Sequence, residues 1–297
     1  MIQASSWRDY WEVTKPRVVA LMTFTALIGM VLADPLMQVP LKMLYGAIGI
    51  TLMAAAAAAI NQIADQHVDA QMDRTQARPL PRGSLRTVQV LGFAALLGMG
   101  GFGLLFGLVN MLTAWLTLGS LIGYALIYTL YLKRATPQNI VIGGAAGATP
   151  PLLGWTAVTG SIEAGALALF LIIFVWTPPH FWALALHRKE DYAKADIPML
   201  PVTHGDSYTR LQITLYTLLL TATSMLPFVI RLSGWMYLIG ALVLNGIFLA
   251  YAIRMQKEAS NRLAMPTFTY SIIYLMGLFT LLLLDRYLVV PEVFITS

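Results

Sequence analysis

Charge-free apolar intervals alternate with short charged segments along the whole chain. A membrane-spanning helix needs about 20 largely apolar residues. On that measure the intervals predict nine spans, at about 18–33, 43–64, 88–108, 112–132, 139–159, 164–186, 211–230, 235–253 and 266–284. The stretch from Thr87 to Leu132 has no charged residue and is long enough for two helices, with the turn expected near 107–113, where Asn110 is the polar marker. Glycine and proline recur inside the intervals, as membrane helices tolerate. The expected class is therefore all-α, a polytopic membrane protein.

Composition supports this reading. Charged residues make up 11% of the 297 positions, against roughly 25% in a soluble domain. Hydrophobic residues make up 58%. No cysteine is present, which excludes disulfides, thiolate metal sites and iron–sulfur clusters. The stretch from Met1 to Arg17 carries Arg8, Asp9, Glu12 and Lys15. The apolar segment after it is expected to be a retained helix rather than a cleaved signal.

The net charge of +5 reads as topology, not as nucleic-acid binding. With nine spans and the N-terminus inside, the inner segments hold 16 Lys and Arg and the outer ones three, Lys42, Arg231 and Arg286. That bias sets orientation by the positive-inside rule. It predicts a cytoplasmic N-terminus and a periplasmic C-terminus, and the lack of a long Arg- and Ser-rich, acid-poor extension favours a bacterial inner membrane. Most basic residues, Lys133 and Arg134 included, read as orientation signals. The two long inner loops follow the second and sixth spans, an offset that hints at duplication of a four-helix unit.

The first inner loop is the richest in chemistry. Asn61, Asp65 and Asp69 recur every four residues, and each step turns a helix face by only about 40°. They share one stripe, which Asp73 extends. Like charges one turn apart repel unless a cation lies between them. Two carboxylates and an amide are hard oxygen ligands that suit Mg²⁺, with water and phosphate completing the shell. Arg74 and Arg78 repeat the spacing, and their guanidinium forks match phosphate oxygens. The competing reading is a solvated loop whose acids and arginines pair with one another. Asn61, a turn deeper in the apolar span, speaks against it.

The second inner loop offers Glu190, Asp191 and Asp196, with Lys194 between them. Asp191 and Asp196 are five apart and share a face only if the helix ends between them, as Pro198 suggests. Across the bundle they are candidates for a second metal site on the same diphosphate.

The run Asn61-x-x-x-Asp65-x-x-x-Asp69-x-x-Met72-x-Arg74-Thr75-x-x-Arg78 resembles the first aspartate-rich motif of the UbiA-type intramembrane prenyltransferases. Thr136–Gly144 with Pro150-Pro151 and Gly154-Trp155, Thr177-Pro-Pro-His-Phe-Trp182, and Asp191-Tyr192 followed by Asp196–Val202 narrow the resemblance to members that farnesylate heme. Other members usually carry a tighter second motif with two Asp four apart, which is missing here. The resemblance implies one domain over 1–297, with nine helices around a central cavity capped by the two inner loops. It implies transfer of the farnesyl group of farnesyl diphosphate, with water, to a vinyl group of heme b. Mg²⁺ is the implied cofactor, heme b is a substrate, and heme A synthase or terminal-oxidase assembly is the implied partner. Asp65, Asp69, Arg74, Arg78 and Lys194 are the implied catalytic set. Asn61, His67, Asn139, His180, His187 and Tyr192 are substrate-binding candidates. Asn61, Asp65, Asp69, Asp191 and Asp196 are metal candidates.

His180 follows two prolines in the sixth span. It is a candidate for heme iron or a propionate; the bland alternative is a histidine satisfying a carbonyl that the prolines free. His187 is the alternative candidate near the surface. His67 lies beside the acidic stripe, within reach of diphosphate, and His204 reads as a plain loop residue. Asn139 and Thr149 are candidate cavity residues, and the glycines at 143–147 favour close helix packing. Two other functions compete: a UbiA-type enzyme acting on an aromatic quinone precursor, and a transporter gated by Asp65, Asp69 and Arg74. A transporter would place charge near the midplane, whereas here the acids gather at one end.

Overall fold

The computed structural model describes residues 6–71, 75–258 and 260–288. Among them every regular element is helical. A short helix, α1 (Trp7–Val13), opens the chain, capped by Ser6 in a capping box with Asp9. The long helices follow: α2 (Pro16–Ala33), α3 (Pro40–Asp69) and α4 (Thr87–Leu108). Next, α5 (Met111–Ile122) runs straight into a π-helix (Gly123–Leu132) and a last turn, α6 (Lys133–Ala135). Then come α7 (Asn139–Thr159) and α8 (Ala164–His187), and two short helices, α9 (Lys189–Lys194) and α10 (Leu200–Thr203). The described residues end with α11 (Gly205–Thr223), the short α12 (Leu226–Val229), α13 (Trp235–Lys257) and α14 (Ala264–Leu288).

Eight helical segments are long and apolar enough to cross a membrane, counting Met111–Leu132 and Gly205–Val229 as one segment each. The protein is thus a multi-pass membrane protein of the all-helical class. The remaining expected span, 139–159, forms α7, a helix of 21 residues. Glycine, threonine and Pro150-Pro151 lower its apolarity, and protein rather than lipid covers much of it. Length and apolarity thus single out eight crossing helices, with α7 a ninth long helix inside the same bundle.

The burial pattern explains this arrangement. Helices α3, α7 and α8 form the interior, with α2 and α14 beside them, while α4, α5 and α13 turn most of their surface outward. α7 packs on α2 and α8, α3 on α4, and α8 on α11 and α14. The α2–α7 crossing is close because Gly29 and Gly154 let the backbones touch. A Cβ on Gly29 would lie 2.1 Å from the Pro151 carbonyl oxygen, and one on Gly154 would lie 1.9 Å from that of Ala26. Small residues are the usual means of such approach where lipid gives no hydrophobic drive between helices.

Polar caps close the helix ends. The α4–α5 break falls at Asn110, whose Oδ1 accepts from Thr113 N–H at 2.8 Å and whose Nδ2 donates to the Thr156 carbonyl at 2.9 Å. Fully buried Asp285 accepts from the backbone N–H groups of Gly234 and Tyr237 at the start of α13. A carboxylate there meets the unpaired donors and the positive end of the helix.

Candidate active site

One cavity of about 530 Å³ lies among α2, α3, the π-helix, α7, α8 and α14. Its walls are largely apolar, including Met22, Met53, Leu153, Ile173, Trp176 and Leu275. Its charged lining is four cations, Lys15, Arg17, Arg78 and Lys133, against two carboxylates, Asp65 and Asp69.

Helix α3 builds the acidic side. It runs on past its apolar part to Asp69, so Asn61, Asp65 and Asp69 stay in helical register and all three are buried. Each meets a cation. The Arg78 Nη1 donates to Asp69 Oδ2 at 2.6 Å, and Lys133 Nζ donates to Asp65 Oδ1 at 2.7 Å. Lys15 Nζ donates to Asn61 Oδ1. The Thr75 hydroxyl donates to the Asp69 carbonyl at 2.9 Å and ties the start of the loop to the helix end.

Lys15 gets there through a strained backbone. Its φ of 53° places a non-glycine residue in the left-handed region directly before Pro16. That conformation costs on the order of 1–2 kcal/mol and turns the chain sharply from α1 into α2. Burial pushes the Lys15 ammonium down to about 8; Arg78 and Lys133 add to this, and Asp65 and Asp69 oppose it.

Lys133 gets there through the π-helix. On a regular α-helix a residue nine positions beyond Tyr124 lies about 180° away from it. The i→i+5 register widens each turn and brings Tyr124, Tyr128 and Lys133 to the same cavity. The Thr129 hydroxyl donates to the Tyr124 carbonyl, five residues back, at 2.7 Å and accepts from Asn61 Nδ2 at 3.0 Å. Gly143 leaves room for the Tyr128 ring, which a Cβ would meet at 2.1 Å.

The Asp65 and Asp69 side chains are 8% and 6% exposed. Pairs this dry are poor sources of stability, since apolar replacements are often neutral or stabilising by about 1–4 kcal/mol. Two more cations than carboxylates leave the chamber short of negative charge. Its charged lining suits an anion, and its apolar walls suit a greasy tail.

The other expected residues fall elsewhere. Asp191 does not line the cavity; its nearest cation is Arg188 at 3.5 Å, and it borders a separate polar hollow with His187 and Glu190. Asp196 and Lys194 are exposed, and Asp196 adopts a left-handed φ of 51° just after α9 ends. The five-member metal set Asn61, Asp65, Asp69, Asp191 and Asp196 is therefore not brought together. α8 stops at His187, and α9 turns the second loop's acids outward. His67 and His187 are exposed and away from the cavity. Asn139 is fully buried and its Nδ2 bonds the Lys133 carbonyl at 3.1 Å, so it braces the end of the π-helix rather than lining the chamber. Tyr192, Thr149 and His180 do line it. Arg74 lies outside the described residues.

A divalent ion fits the donor set at Asn61, Asp65 and Asp69. Among the described residues no three His, Asp or Glu side chains converge. The protein would supply two carboxylates and an amide, leaving the rest to water and phosphate, as Mg²⁺ prefers. Lys15, Lys133, Thr129 and the two tyrosines escaped the sequence reading. The only signal was the position of the lysines at the inner ends of spans, which orientation already explained.

Comparison with known proteins places the chain. The sequence profile of the UbiA prenyltransferase family matches residues 22–291. The protoheme IX farnesyltransferase of Alkalilimnicola ehrlichii is 61% identical over 283 residues, covering 95% of this chain and 93% of the relative. That of Marinobacter nauticus is 60% identical, covering 96% and 95%. Among solved structures, digeranylgeranylglyceryl phosphate synthase superposes with a TM-score of 0.79 at 20% identity, covering 94% of this chain and 98% of the other. A UbiA homologue from Archaeoglobus fulgidus bound to GPP and Mg²⁺ gives 0.59 at 16% identity, covering 92% and 99%. The chain belongs to the UbiA prenyltransferase family.

Proposed function

We propose that the protein transfers the farnesyl group of farnesyl diphosphate, with water, to a vinyl group of heme b, giving heme O and diphosphate. The observation that carries this reading is the chamber itself, about 530 Å³, with four cations and two carboxylates in its lining and an otherwise largely apolar wall. The choice of heme as acceptor rests on relatives at 61% and 60% identity over nearly the full chain, both protoheme IX farnesyltransferases. One UbiA-type domain over 1–297 does this work, in a bacterial inner membrane, with the N-terminus cytoplasmic and the C-terminus periplasmic. The 16-to-3 split of basic residues supports that orientation.

The chemistry follows from the residues. Breaking the allylic C–O bond leaves a delocalised farnesyl cation and a diphosphate that carries the electron pair. Arg78, Lys133 and Lys15, which now bond Asp69, Asp65 and Asn61, would turn to the diphosphate oxygens. Preorganised donors aimed at developing charge give the largest single contribution to most such rate enhancements. Mg²⁺ held by Asn61, Asp65 and Asp69 supplies further charge neutralisation to the leaving group when bound. The Tyr124 and Tyr128 rings, stacked on one another at 5.6 Å in the cavity lining, are electron-rich groups that would steady the cation. The apolar walls keep water from it until the vinyl carbon attacks. Water then adds to the cation beside the macrocycle and loses a proton. The heme product, carrying a fifteen-carbon tail, is more apolar than heme b and stays in the membrane, which suits handover to heme A synthase or terminal-oxidase assembly.

The test is to incubate the purified protein with heme b, farnesyl diphosphate and Mg²⁺, extract the hemes and weigh them. A heme heavier by one farnesyl and one hydroxyl, lost on chelating the metal, is expected. Turnover of an aromatic quinone precursor with no heme product would overturn the acceptor assignment.

A further inference from the structure

His180 lies on the cavity wall, 8% exposed, one residue after Pro179 in α8. Its imidazole is sandwiched between Trp176, at 4.2 Å and 21°, and Phe268, at 4.5 Å and 26°. Phe181 meets its edge at 5.0 Å. The ring cannot swing, so the direction of each nitrogen is fixed.

The tautomer is fixed as well. His180 Nδ1 lies 2.6 Å from the Ser271 hydroxyl of α14. That hydroxyl lies 2.6 Å from the Phe268 carbonyl oxygen and donates to it. A carbonyl only accepts, and a serine hydroxyl has one proton. The Ser271 oxygen must then accept from His180, and the proton sits on Nδ1. Nε2, across the ring, is left with a lone pair, and no described residue bonds it. The bland alternative, a histidine satisfying a carbonyl freed by Pro178 and Pro179, is excluded, because its partner is a hydroxyl on another helix.

A bare ring nitrogen repels a carboxylate, so a propionate does not belong there. It suits a metal with a vacant axial position. Metal-bound histidine almost always donates its other N–H to a neighbouring acceptor, which orients the ring, and a neutral imidazole is the usual proximal ligand of heme. Resting on the heme acceptor proposed above, we infer that His180 Nε2 ligates the iron of the heme substrate and that Ser271 is the positioning residue that sets its tautomer. Iron ligation from α8 would hold the macrocycle across the apolar part of the chamber and present a vinyl edge toward the Asp65–Asp69 end.

The ferrous protein–heme complex, formed without prenyl donor, should show an iron–imidazole stretch by resonance Raman spectroscopy. The His180→Gly variant should lose that band, regain it with added imidazole, and bind farnesyl diphosphate as the wild type does. The Ser271→Ala variant should keep a shifted band and bind heme on the order of 10-fold more weakly, and Ser271→Thr should restore both. A band that persists in His180→Gly without imidazole, or a wild type that farnesylates heme but shows no band, would overturn the inference and leave the proposed reaction standing. A wild type that neither binds nor farnesylates heme would overturn the acceptor assignment and this inference together.

Discussion

The two inner loops begin alike and end differently. Each follows a buried helix, α3 or α8, and each carries acids beside basic residues. In the first, the helix continues through the acids, so Asp65 and Asp69 face the cavity with Asn61 behind them. In the second, α8 ends at His187, Arg188 leaves helical geometry with φ −110° and ψ 26°, and Asp191 and Asp196 lie beyond the break. The first loop's acids are buried and matched to Arg78 and Lys133; the second loop's Asp191 meets Arg188 in a half-exposed pair at 3.5 Å. Similar acidic composition therefore reaches different surroundings: helical continuity carries the first loop's acids into the chamber, and the break after α8 keeps Asp191 out of it.

Substitutions at the two loops should separate on the same assay. Asp65→Asn and Asp69→Asn should each lower the rate of heme farnesylation by about 10²–10³, the scale of losing a preorganised charged group, with helix content by circular dichroism unchanged. Lys133→Met should cost roughly 10- to 100-fold, from a charge-assisted bond worth about 1.5–3 kcal/mol; a loss as small as at Asp191 would detach the π-helix from the chemistry. Asp191→Asn should cost no more than about fivefold, since exposed pairs carry about 0.2–1 kcal/mol. Asp196→Gly should leave the rate within about twofold, the scale of surface changes, and raise the melting temperature slightly, because glycine adopts a positive φ without strain.

The smallest effect concerns pH. The Ser6 backbone N–H, and after it Arg82, holds the Asp9 carboxyl below the usual carboxylate range, and Arg82 ties the first loop to α1 through Asp9 and Glu12. A depressed carboxylate contributes stability that is present above its unfolded value and lost as pH falls through the folded one. Amide-exchange protection in residues 78–85, corrected for the intrinsic pH dependence of exchange, should therefore stay flat through neutral pH and fall only on acidification below the ordinary carboxylate range.

Charge-free intervals carried the helix positions, and four-residue spacing carried the Asn61–Asp65–Asp69 stripe, because both depend on local periodicity. The cationic half of the site depends on features no period encodes. Lys133 reaches Asp65 only because ten residues wind as a π-helix, and α-helical phasing puts it on the wrong face. Lys15 reaches Asn61 through a left-handed residue before a proline, a conformation that sequence statistics disfavour. Asp191 and Asp196 stand apart from the chamber for the converse reason: their loop resembles the first in content, but it lies beyond the end of α8, with Asp196 at a positive φ after α9. Ser271 is 91 residues from His180, and nothing near it in sequence marks it as a histidine's partner.

The most direct test of the two-loop comparison is electron paramagnetic resonance of Mn²⁺, in place of Mg²⁺, with farnesyl diphosphate bound. The account predicts a protein-bound Mn²⁺ signal in the wild type that is lost in Asp65→Asn and Asp69→Asn and retained in Asp191→Asn and Asp196→Gly. A signal that survives the first pair and disappears with Asp191→Asn would place the metal on the second loop and contradict it.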